Sequence, residues 1–324
     1  MGVPWNTSCQ WKMWDRWRCR RLVCWVEGSS RKGGLPMFVV LGATGNTGSS
    51  VVETLLAKKQ AVRVVVRSAE KGAAWKAKGA EAVVASLDDV SALTKAFQGA
   101  KGVYLLVPPN YGAEAWLVDQ RDRMDRAAES VKQSGIEHVV LLSSVGGHIN
   151  GATGPIRAAS YGEHALGTIA KNLTILRPCY FMENWAPVIG AAKAQGVLPT
   201  FIAPQAKIPM IATKDIGRIG AERLIAGWQG RRIVEMAGPE EYSPEQAAAA
   251  LSQILGKTVT AQHAPLSAVV PTFKSFGFSD EAANLFEEMY TSFSTGAIRY
   301  EHPDTLVRGT VTLAHALSDM AKAG

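Results

Sequence analysis

Long apolar runs and cysteine are scarce in this sequence, and each scarcity excludes a class of protein. No stretch approaches the roughly 18 uncharged apolar residues that a membrane helix needs, and the longest runs, 36–43 and 102–109, have the length of strands. The four cysteines form no disulfide framework, because three fall within residues 1–36 and only Cys179 follows. We therefore expect a cytoplasmic protein in a reducing compartment, without a membrane partner.

Metal ligands and a hydrolase nucleophile are also missing. His263, His302 and His315 lie far apart in sequence with no partnering ligands, so we predict no metal site. No Gly-x-Ser-x-Gly motif is present, which leaves hydrolase chemistry without a candidate nucleophile.

Positive charge is concentrated at the N-terminus. The formal net charge is +7, yet residues 37–324 contribute only 28 basic against 26 acidic side chains. Residues 1–36 also hold five of the nine tryptophans. We interpret this stretch as an unstructured or spurious extension and Met37 as the natural start; the alternative is a basic arm for a membrane or nucleic acid. For the remainder we expect no nucleic-acid partner.

From Met37 onward, short β-branched runs alternate with longer helical patterns, which is typical of a parallel sheet with crossover helices. The predicted strands are Met37–Leu41, Val62–Val66, Ala82–Ala85, Gly102–Leu106, Val139–Leu142 and Thr174–Leu176. The predicted helices are Thr47–Lys58, Ala69–Ala77, Val90–Phe97, Glu114–Ser134 and Ile156–Lys171. Six strands in this rhythm predict a doubly wound α/β sheet.

The first predicted strand runs directly into a glycine-rich loop and then a helix, as in phosphate-binding loops. The loop is Gly42, Ala43, Thr44, Gly45, Asn46, Thr47 and Gly48. Gly42 would form the tight turn, Gly45 would let the backbone approach a pyrophosphate, and Gly48 would let the helix pack against the strand. The free N–H groups of the helix N-terminus favour the phosphates. We therefore predict a dinucleotide site.

The residue after the second strand indicates which dinucleotide is bound. That residue is Arg67, where an acid would select NAD(H) and an arginine accommodates the 2′-phosphate of NADP(H). We predict that NADP(H) is preferred; the alternative is that Arg67, like nearby Lys71, is a solvated cation. Asp88 is a candidate for the adenine amino group or a helix cap. Val107 and Pro108 are expected to lie along the cofactor.

After Arg177 and Pro178 the alternation breaks, and prolines punctuate a stretch of loops and short elements. We predict a Rossmann domain over residues 37–178 and a smaller, irregular substrate lobe over residues 179–324 that is interleaved with the Rossmann sheet. In that lobe the patterns predict helices at Ile216–Ala226, Pro244–Leu255 and Thr310–Met320, two helices across Leu266–Ser292, and strands at Arg232–Met236 and Thr258–His263.

Five motifs together resemble the NmrA-like family of atypical short-chain dehydrogenases. They are the loop Gly42–Gly48, the strand Val62–Arg67, Leu141–Gly146 with its two serines, Thr174–Pro178 followed by Phe181–Asn184, and Asp215–Gly217. The resemblance implies a Rossmann fold. It also implies an activity among NADPH-dependent quinone reductases, other reductases, or NADP(H) sensors that regulate a partner.

The usual proton-transfer pair of short-chain dehydrogenases, a Tyr followed four residues later by a Lys, is absent. Tyr161 is followed at that spacing by Ala165, and Ile156–Leu166 contains no lysine. Ala159 stands where many members of the family have Lys, and Glu163 where the family usually has Glu. The catalytic candidates are therefore Ser143, Ser144, Tyr161 and Glu163.

A flat quinone needs less catalytic help, because hydride can pass to the ring while solvent supplies the proton. His148, Tyr180, Phe181 and Trp185 are candidates for an apolar substrate pocket, with packing between the lobes as the alternative for the aromatics. We predict an NADP(H)-dependent oxidoreductase acting on a quinone or similar conjugated carbonyl. The alternative is a non-catalytic NADP(H) sensor with a protein partner.

Overall fold

The structure is a computed structural model that describes residues 36–323, so the predicted extension lies outside it but for Pro36. Within this range the strands β1–β13 are Met37–Val40, Ala61–Val66, Glu81–Val84, Gly102–Leu105, His138–Leu142, Asn172–Pro178, Tyr180–Phe181, Val197–Thr200, Ile208–Ile211, Gly230–Ala237, Glu241–Tyr242, Thr260–His263 and Val307–Arg308. The helices α1–α11 are Asn46–Ala57, Ala69–Ala77, Val90–Phe97, Trp116–Ser134, Ile156–Gly167, Ile189–Gln195, Thr213–Ala226, Pro244–Leu255, Val269–Ser275, Asp280–Ser294 and Leu313–Ala323.

Eight of these strands form one parallel sheet in the order β13-β10-β6-β5-β4-β1-β2-β3. The chain builds outward from β1 in one direction as far as β3, then crosses back and continues on the other side of β1 with β4. A ligand crevice forms outside the carboxyl ends of the strands where a doubly wound sheet reverses in this way. The topology therefore places the principal cleft beside β1 and β4.

Helices cover both faces of the sheet, which is why its central strands are apolar along their whole length. On one face, α1, α2 and α7 pack over side chains such as Phe38, Val64 and Tyr104. On the other face, α3, α4 and α5 pack over Val39, Val103 and others. The central strand β4 is buried at all four residues.

The C-terminal part has a core of its own beside the carboxyl edge of the sheet. Tyr180, Met182 and Trp185 pack there with side chains from α6, α8 and α11. Two small sheets, β11-β9-β7 and β12-β8, frame this core. Buried Asp215 at the start of α7 accepts the backbone N–H groups of Thr310 and Val311, both at 2.8 Å, and so attaches the segment before α11 to a helix that packs on the main sheet.

The α/β fold class is confirmed. Helices α2, α3 and α8 have the predicted bounds. All six predicted strands lie in the main sheet, which has two more within residues 36–323, because β10 pairs with β6 along Gly230–Met236 and β13 pairs with β10. The predicted strand at Arg232–Met236 thus extends the main sheet, whereas β13 has two residues and too few positions to show a period. None of the helices within residues 36–323 has both the length and the apolarity needed to cross a bilayer.

Candidate active site

A cleft of about 690 Å³ opens at the carboxyl ends of β1, β2, β4 and β5. Leu41 follows β1 and Arg67 follows β2, while Leu106 and Ser143 follow β4 and β5. The cleft therefore lies at the reversal point of the sheet, where a doubly wound fold brings the ends of several strands together.

The glycine-rich loop forms one wall of this cleft. Five of its seven predicted residues line the cleft: Gly42, Thr44, Gly45, Asn46 and Thr47. The other two, Ala43 and Gly48, are buried behind it. Gly42 has a φ of 68°, in the left-handed region that favours glycine. A Cβ at Gly48 would lie 2.2 Å from the carbonyl oxygen of Gly42, so only glycine lets α1 begin so close to the turn.

The N-terminus of α1 is left open toward the cleft. Gly45 is its N-cap and supplies no side-chain hydrogen bond, and the first turn carries no acidic residue. In contrast, Ser68 caps α2 and Asp89 caps α3 through their side chains. The first N–H groups of a helix have no partner within the helix. At α1 these groups, together with the positive end of the helix dipole, are available to an anion.

Two cations lie at one end of the cleft. Arg67 and Lys71 are exposed and line it beside Val65 and Val66. Asp88 lies outside the cleft lining, which at this point consists of Ser86 and Leu87. Its carboxylate accepts hydrogen bonds from the Ser86 hydroxyl and from Arg126, both at 3.0 Å. The expected contact of Asp88 with a ligand is therefore not supported, and the cap of α3 is its neighbour Asp89.

The turn after β4 contributes Val107 and Pro108 to the lining of the cleft. A guanidinium N–H of Arg123 on α4 donates to the carbonyl oxygen of Pro108 at 2.7 Å. Arg123 itself lies 3.7 Å from Asp119. The turn is thus held by Arg123, a charged side chain from another element, which the sequence of the turn does not predict.

At the other end the cleft is lined by small and apolar side chains together with two polar ones. Ser143 follows β5, Pro155 and Ala159 lie at the start of α5, and Phe181 and Asn184 come from the C-terminal part. Ala159 stands where many members of the family have lysine, and it lines the cleft. Ser144 does not line the cleft; its carbonyl oxygen accepts the N–H of Gly147 at 3.0 Å.

An aromatic wall at this end was missed by the sequence analysis. Tyr111 and Trp116 line the cleft and stack on each other, with ring centroids 5.8 Å apart. Phe278 stacks behind Tyr111 at 4.2 Å, and Phe286 meets it edge-on. Burial raises the pKa of Tyr111 to about 12, so its hydroxyl stays protonated at neutral pH. The position of Tyr111 shortly after the β4 turn is the signal that points to this wall.

Glu163 lies behind the cleft, in a buried charge network. The Ser143 hydroxyl donates to Glu163 Oε1 at 2.5 Å, and the guanidinium of Arg177 donates to both carboxylate oxygens, through Nε at 2.8 Å and Nη2 at 2.6 Å. Arg177 also pairs with Glu301. Burial alone would lower the pKa of Arg177, but its hydrogen bonds and charge interactions with the two glutamates raise it.

His148 is not part of the cleft. It lines a second cavity of about 590 Å³ together with Glu163, Arg177, Glu301 and other residues. The charge network therefore separates the two cavities, and His148 lies on the far side of it. Its prediction as a lining residue of the substrate pocket is not supported.

Tyr161 points away from the cleft, so its prediction as a catalytic candidate is not supported. Its hydroxyl donates to Asp125 on α4, 2.7 Å from Oδ1, and Arg121 lies over its ring. The hydrogen bond to Asp125 raises the pKa of Tyr161. Two positions along a helix correspond to a rotation of about 200°, so Tyr161 and the cleft-lining Ala159 lie on opposite faces of α5.

Of the aromatic candidates at β7, only Phe181 lines the cleft. Tyr180 and Trp185 are buried in the C-terminal core, with ring centroids 6.4 Å apart, and burial raises the pKa of Tyr180 well above its usual value. Successive residues of a strand point to opposite faces, so Tyr180 and Phe181 cannot both line one surface. For Tyr180 and Trp185, packing is therefore the correct alternative.

The Rossmann-type sheet, with an open helix N-terminus at its reversal point, defines a dinucleotide-binding class of fold. A model of the NmrA-like family matches residues 37–301, and the chain belongs to that family. It is 28% identical to quinone oxidoreductase 2 of Escherichia coli over 295 residues, which cover 88% of this chain and 98% of the relative. It is 24% identical to an NAD(P)H azoreductase of Xenophilus azovorans over 294 residues, 89% of this chain and 97% of the relative.

A solved structure gives the same comparison at the level of the fold. The NADPH-dependent quinone oxidoreductase of Escherichia coli complexed with NADPH superimposes with a TM-score of 0.74 at 26% identity, covering 88% of this chain and 99% of the other. The similarity therefore extends over both the Rossmann domain and the C-terminal part.

Proposed function

We propose that this chain is an NADP(H)-dependent oxidoreductase that passes hydride from nicotinamide to a quinone or similar conjugated carbonyl, without a Tyr–Lys pair. The coarser assignment is an NAD(P)H-dependent oxidoreductase, as its full-length relatives are named. The observation that carries the proposal is the open N-terminus of α1 at a cleft that extends from Arg67 to Phe181.

The residues of the cleft fit a dinucleotide in three respects. The uncapped N-terminus of α1 offers N–H groups to a pyrophosphate, and Gly45 leaves the approach to them free of a side chain. Arg67 and Lys71 at one end offer positive charge to a 2′-phosphate, which supports a preference for NADP(H). At the other end, Phe181 and Ala159 offer apolar surface to a nicotinamide ring.

The substrate class follows from the chemistry of that same end. Tyr111 and the largely buried Trp116 contribute an aromatic wall to the cleft, which offers apolar contact to the edge of a planar conjugated ring, and the hydroxyl of Tyr161 is committed to Asp125. The nicotinamide, when bound, supplies the hydride. Reduction of a quinone then consumes one NADPH and one solvent proton, with the second hydroquinone hydrogen coming from the hydride. The role of the chain is to bind and orient the two rings.

The test is NADPH oxidation by the full chain across a panel of quinones, an azo dye and an enal. We expect NADPH to be consumed with naphthoquinones, with one hydroquinone formed per NADPH. Calorimetric titration with NADP⁺ and NADPH accompanies it. Binding without turnover of any acceptor would favour the alternative, a cofactor sensor with a protein partner. Absence of binding by the folded protein would refute the cofactor assignment itself.

A further inference from the structure

Ser143 links the cleft to the charge network behind it. The residue follows β5 and lines the cleft, although its side chain is largely buried. Its backbone N–H donates to the carbonyl oxygen of Leu176 at 2.8 Å, and its hydroxyl lies 2.5 Å from Glu163 Oε1. Both the backbone and the side chain of Ser143 are therefore fixed by hydrogen bonds on the side away from the cleft.

The carboxylate of Glu163 can only accept at this position. Arg177 donates to Oε1 through Nε and to Oε2 through Nη2, and Nη2 of Arg231 lies 3.6 Å from Oε2. Oε1 accepts from both the Ser143 hydroxyl and Nε of Arg177, and an ionised carboxylate has no hydrogen to donate. The hydrogen between Ser143 and Glu163 must therefore come from the serine.

The surroundings prevent this arrangement from rotating. Glu163 and Arg177 are 3% and 2% exposed. Arg177 is held from its other side by Glu301, whose backbone N–H donates to Glu235 at 2.9 Å. A Cβ at Gly147 would lie 2.4 Å from Glu163 Oε1, so the backbone at Gly147 packs directly onto the carboxylate. Reversal of the serine hydrogen bond would require the whole network to change.

We propose that Ser143 presents only oxygen lone pairs to the cleft and accepts a hydrogen bond from an N–H or O–H group of the bound ligand, with Glu163 as the positioning residue that fixes this polarity. This inference rests on the proposed function, because it assigns the site of Ser143 to a bound cofactor or acceptor. Two sources can supply the donor: the carboxamide of nicotinamide, or an amino or hydroxyl substituent of the acceptor. Ser143 then donates no proton to the reduced product.

The first arm of the test concerns the cofactor. Calorimetry compares the binding of NADP⁺ with that of its acetylpyridine analogue, in which a methyl ketone replaces the carboxamide and removes its N–H groups. If the carboxamide is the donor, the wild-type chain should bind NADP⁺ about 3–10 times more tightly, the range of one neutral hydrogen bond. Ser143→Ala should reduce this preference to less than about twofold, since the acceptor is gone.

The second arm concerns the acceptor. The ratio of kcat/KM for menadione and for its analogue with an amino group in place of the methyl group is measured in wild type and in Ser143→Ala. Comparing the two ratios cancels the intrinsic difference in reactivity between the quinones. If the quinone substrate supplies the N–H group, the kcat/KM of the variant for the amino compound should fall about 3–10-fold relative to its kcat/KM for menadione. The arm in which Ser143→Ala changes the ratio identifies the ligand that supplies the hydrogen-bond donor.

The matched control is Ser160→Ala. Ser160 lies on α5 with Glu163 and lines the second cavity, and its hydroxyl donates to the carbonyl oxygen of Ile156 at 3.3 Å. This variant should keep the wild-type ratios in both arms. A change in Ser160→Ala as large as that in Ser143→Ala would mean that the ratios report a general disturbance of α5, and it would overturn the assignment.

Glu163→Gln tests the positioning role. The amide offers one oxygen where the carboxylate offers two, whereas Ser143, Nε of Arg177 and Nη2 of Arg177 all donate to this group in the wild type, so the fixed orientation of the Ser143 hydroxyl is lost. Once its fold is verified by circular dichroism, this variant should no longer prefer the ligand that carries the N–H group, although it retains Ser143. If it does not fold, Ser143→Ala alone decides.

The proposal that Ser143 acts only as a hydrogen-bond acceptor would be refuted if Ser143→Ala left the ratios unchanged in both arms. Equal losses on both members of each pair would refute it as well. A wild-type chain that binds neither NADP⁺ nor NADPH would instead refute the proposed function, and this inference would fall with it.

Discussion

Replacing either of two glycines of the loop by alanine should change different properties of the protein, cofactor affinity in one case and stability in the other. This contrast tests the phosphate-loop assignment. Gly45 is exposed, with φ −101° and ψ 174°, a conformation that alanine adopts freely. A Cβ there would lie 3.4 Å from the Gly42 carbonyl oxygen, an ordinary contact. Gly48 is buried, and its Cβ would lie only 2.2 Å from that same oxygen.

For Gly45→Ala we expect unchanged stability and weakened cofactor binding. The added methyl group stands at the open N-terminus of α1, where it should displace the pyrophosphate from at least one backbone N–H. A hydrogen bond to a charged group contributes about 1.5–3 kcal/mol, so the Kd for NADPH should rise about 10–150-fold. The midpoint of thermal unfolding without cofactor should stay within about 2 °C of wild type, which corresponds to less than about 1 kcal/mol.

For Gly48→Ala we expect a loss of stability even without cofactor. The methyl group must push α1 away from the turn, and overpacking of this kind costs about 1–3 kcal/mol. At about 2–4 °C per kcal/mol, the unfolding midpoint should fall by about 2–12 °C.

The control for both variants is Gly190→Ala, since a Cβ at that helical position meets nothing within 4 Å. Differential scanning fluorimetry and calorimetric titration with NADPH on the same preparations provide both readouts. Wild-type affinity in a folded Gly45→Ala variant would remove the loop from the binding site.

Three further predictions concern charged side chains. Arg67→Ala should raise the Kd for NADPH about 10–100-fold by calorimetry and leave NADH within about twofold, because only NADPH carries the 2′-phosphate; equal losses would contradict the assignment. Asp215→Ala should lower the free energy of unfolding in urea by about 2–6 kcal/mol, because it leaves the N–H groups of Thr310 and Val311 unpaired at about 1–3 kcal/mol each; a loss below about 1 kcal/mol would show that water replaces the carboxylate. The hydrogen bond from Arg177 lowers the pKa of Glu301 from its ordinary 4.5, so the pair stabilises the fold above that pH and its contribution is lost as the pH falls through the lowered pKa; the melting temperatures of wild type and Glu301→Gln should therefore converge in acid, whereas a constant gap would contradict the pairing.

Local signals in the sequence were sufficient for the Rossmann half of the fold. The glycines of the loop and the β-branched runs are each specified within a few residues, and α2 and α3 have the predicted bounds. In the C-terminal part α8 also has the predicted bounds. Ser68 and Ser243 show why, since each caps its helix from the position just before the predicted start. Where a boundary depends on such a cap, the sequence contains the information.

The cleft beyond the loop depends on which way each side chain faces, and sequence spacing constrains this weakly. Tyr180 and Phe181 are neighbours, yet only Phe181 lines the cleft, because the strand turns them to opposite sides. Tyr161 was assigned by spacing to a family motif, but its helix turns it toward Asp125. The aromatic wall was only partly accessible to sequence spacing, because Trp116 is near Tyr111 in the chain whereas Phe278 is far away.

The pairing of β10 with β6 means that the main sheet is not complete at Pro178. Gly230–Met236 align with Asn172–Pro178, so both portions of the chain share one continuous hydrogen-bonded sheet. A fragment cut after Pro178 would leave β6 without this neighbour, and its unprotected edge would be prone to self-association.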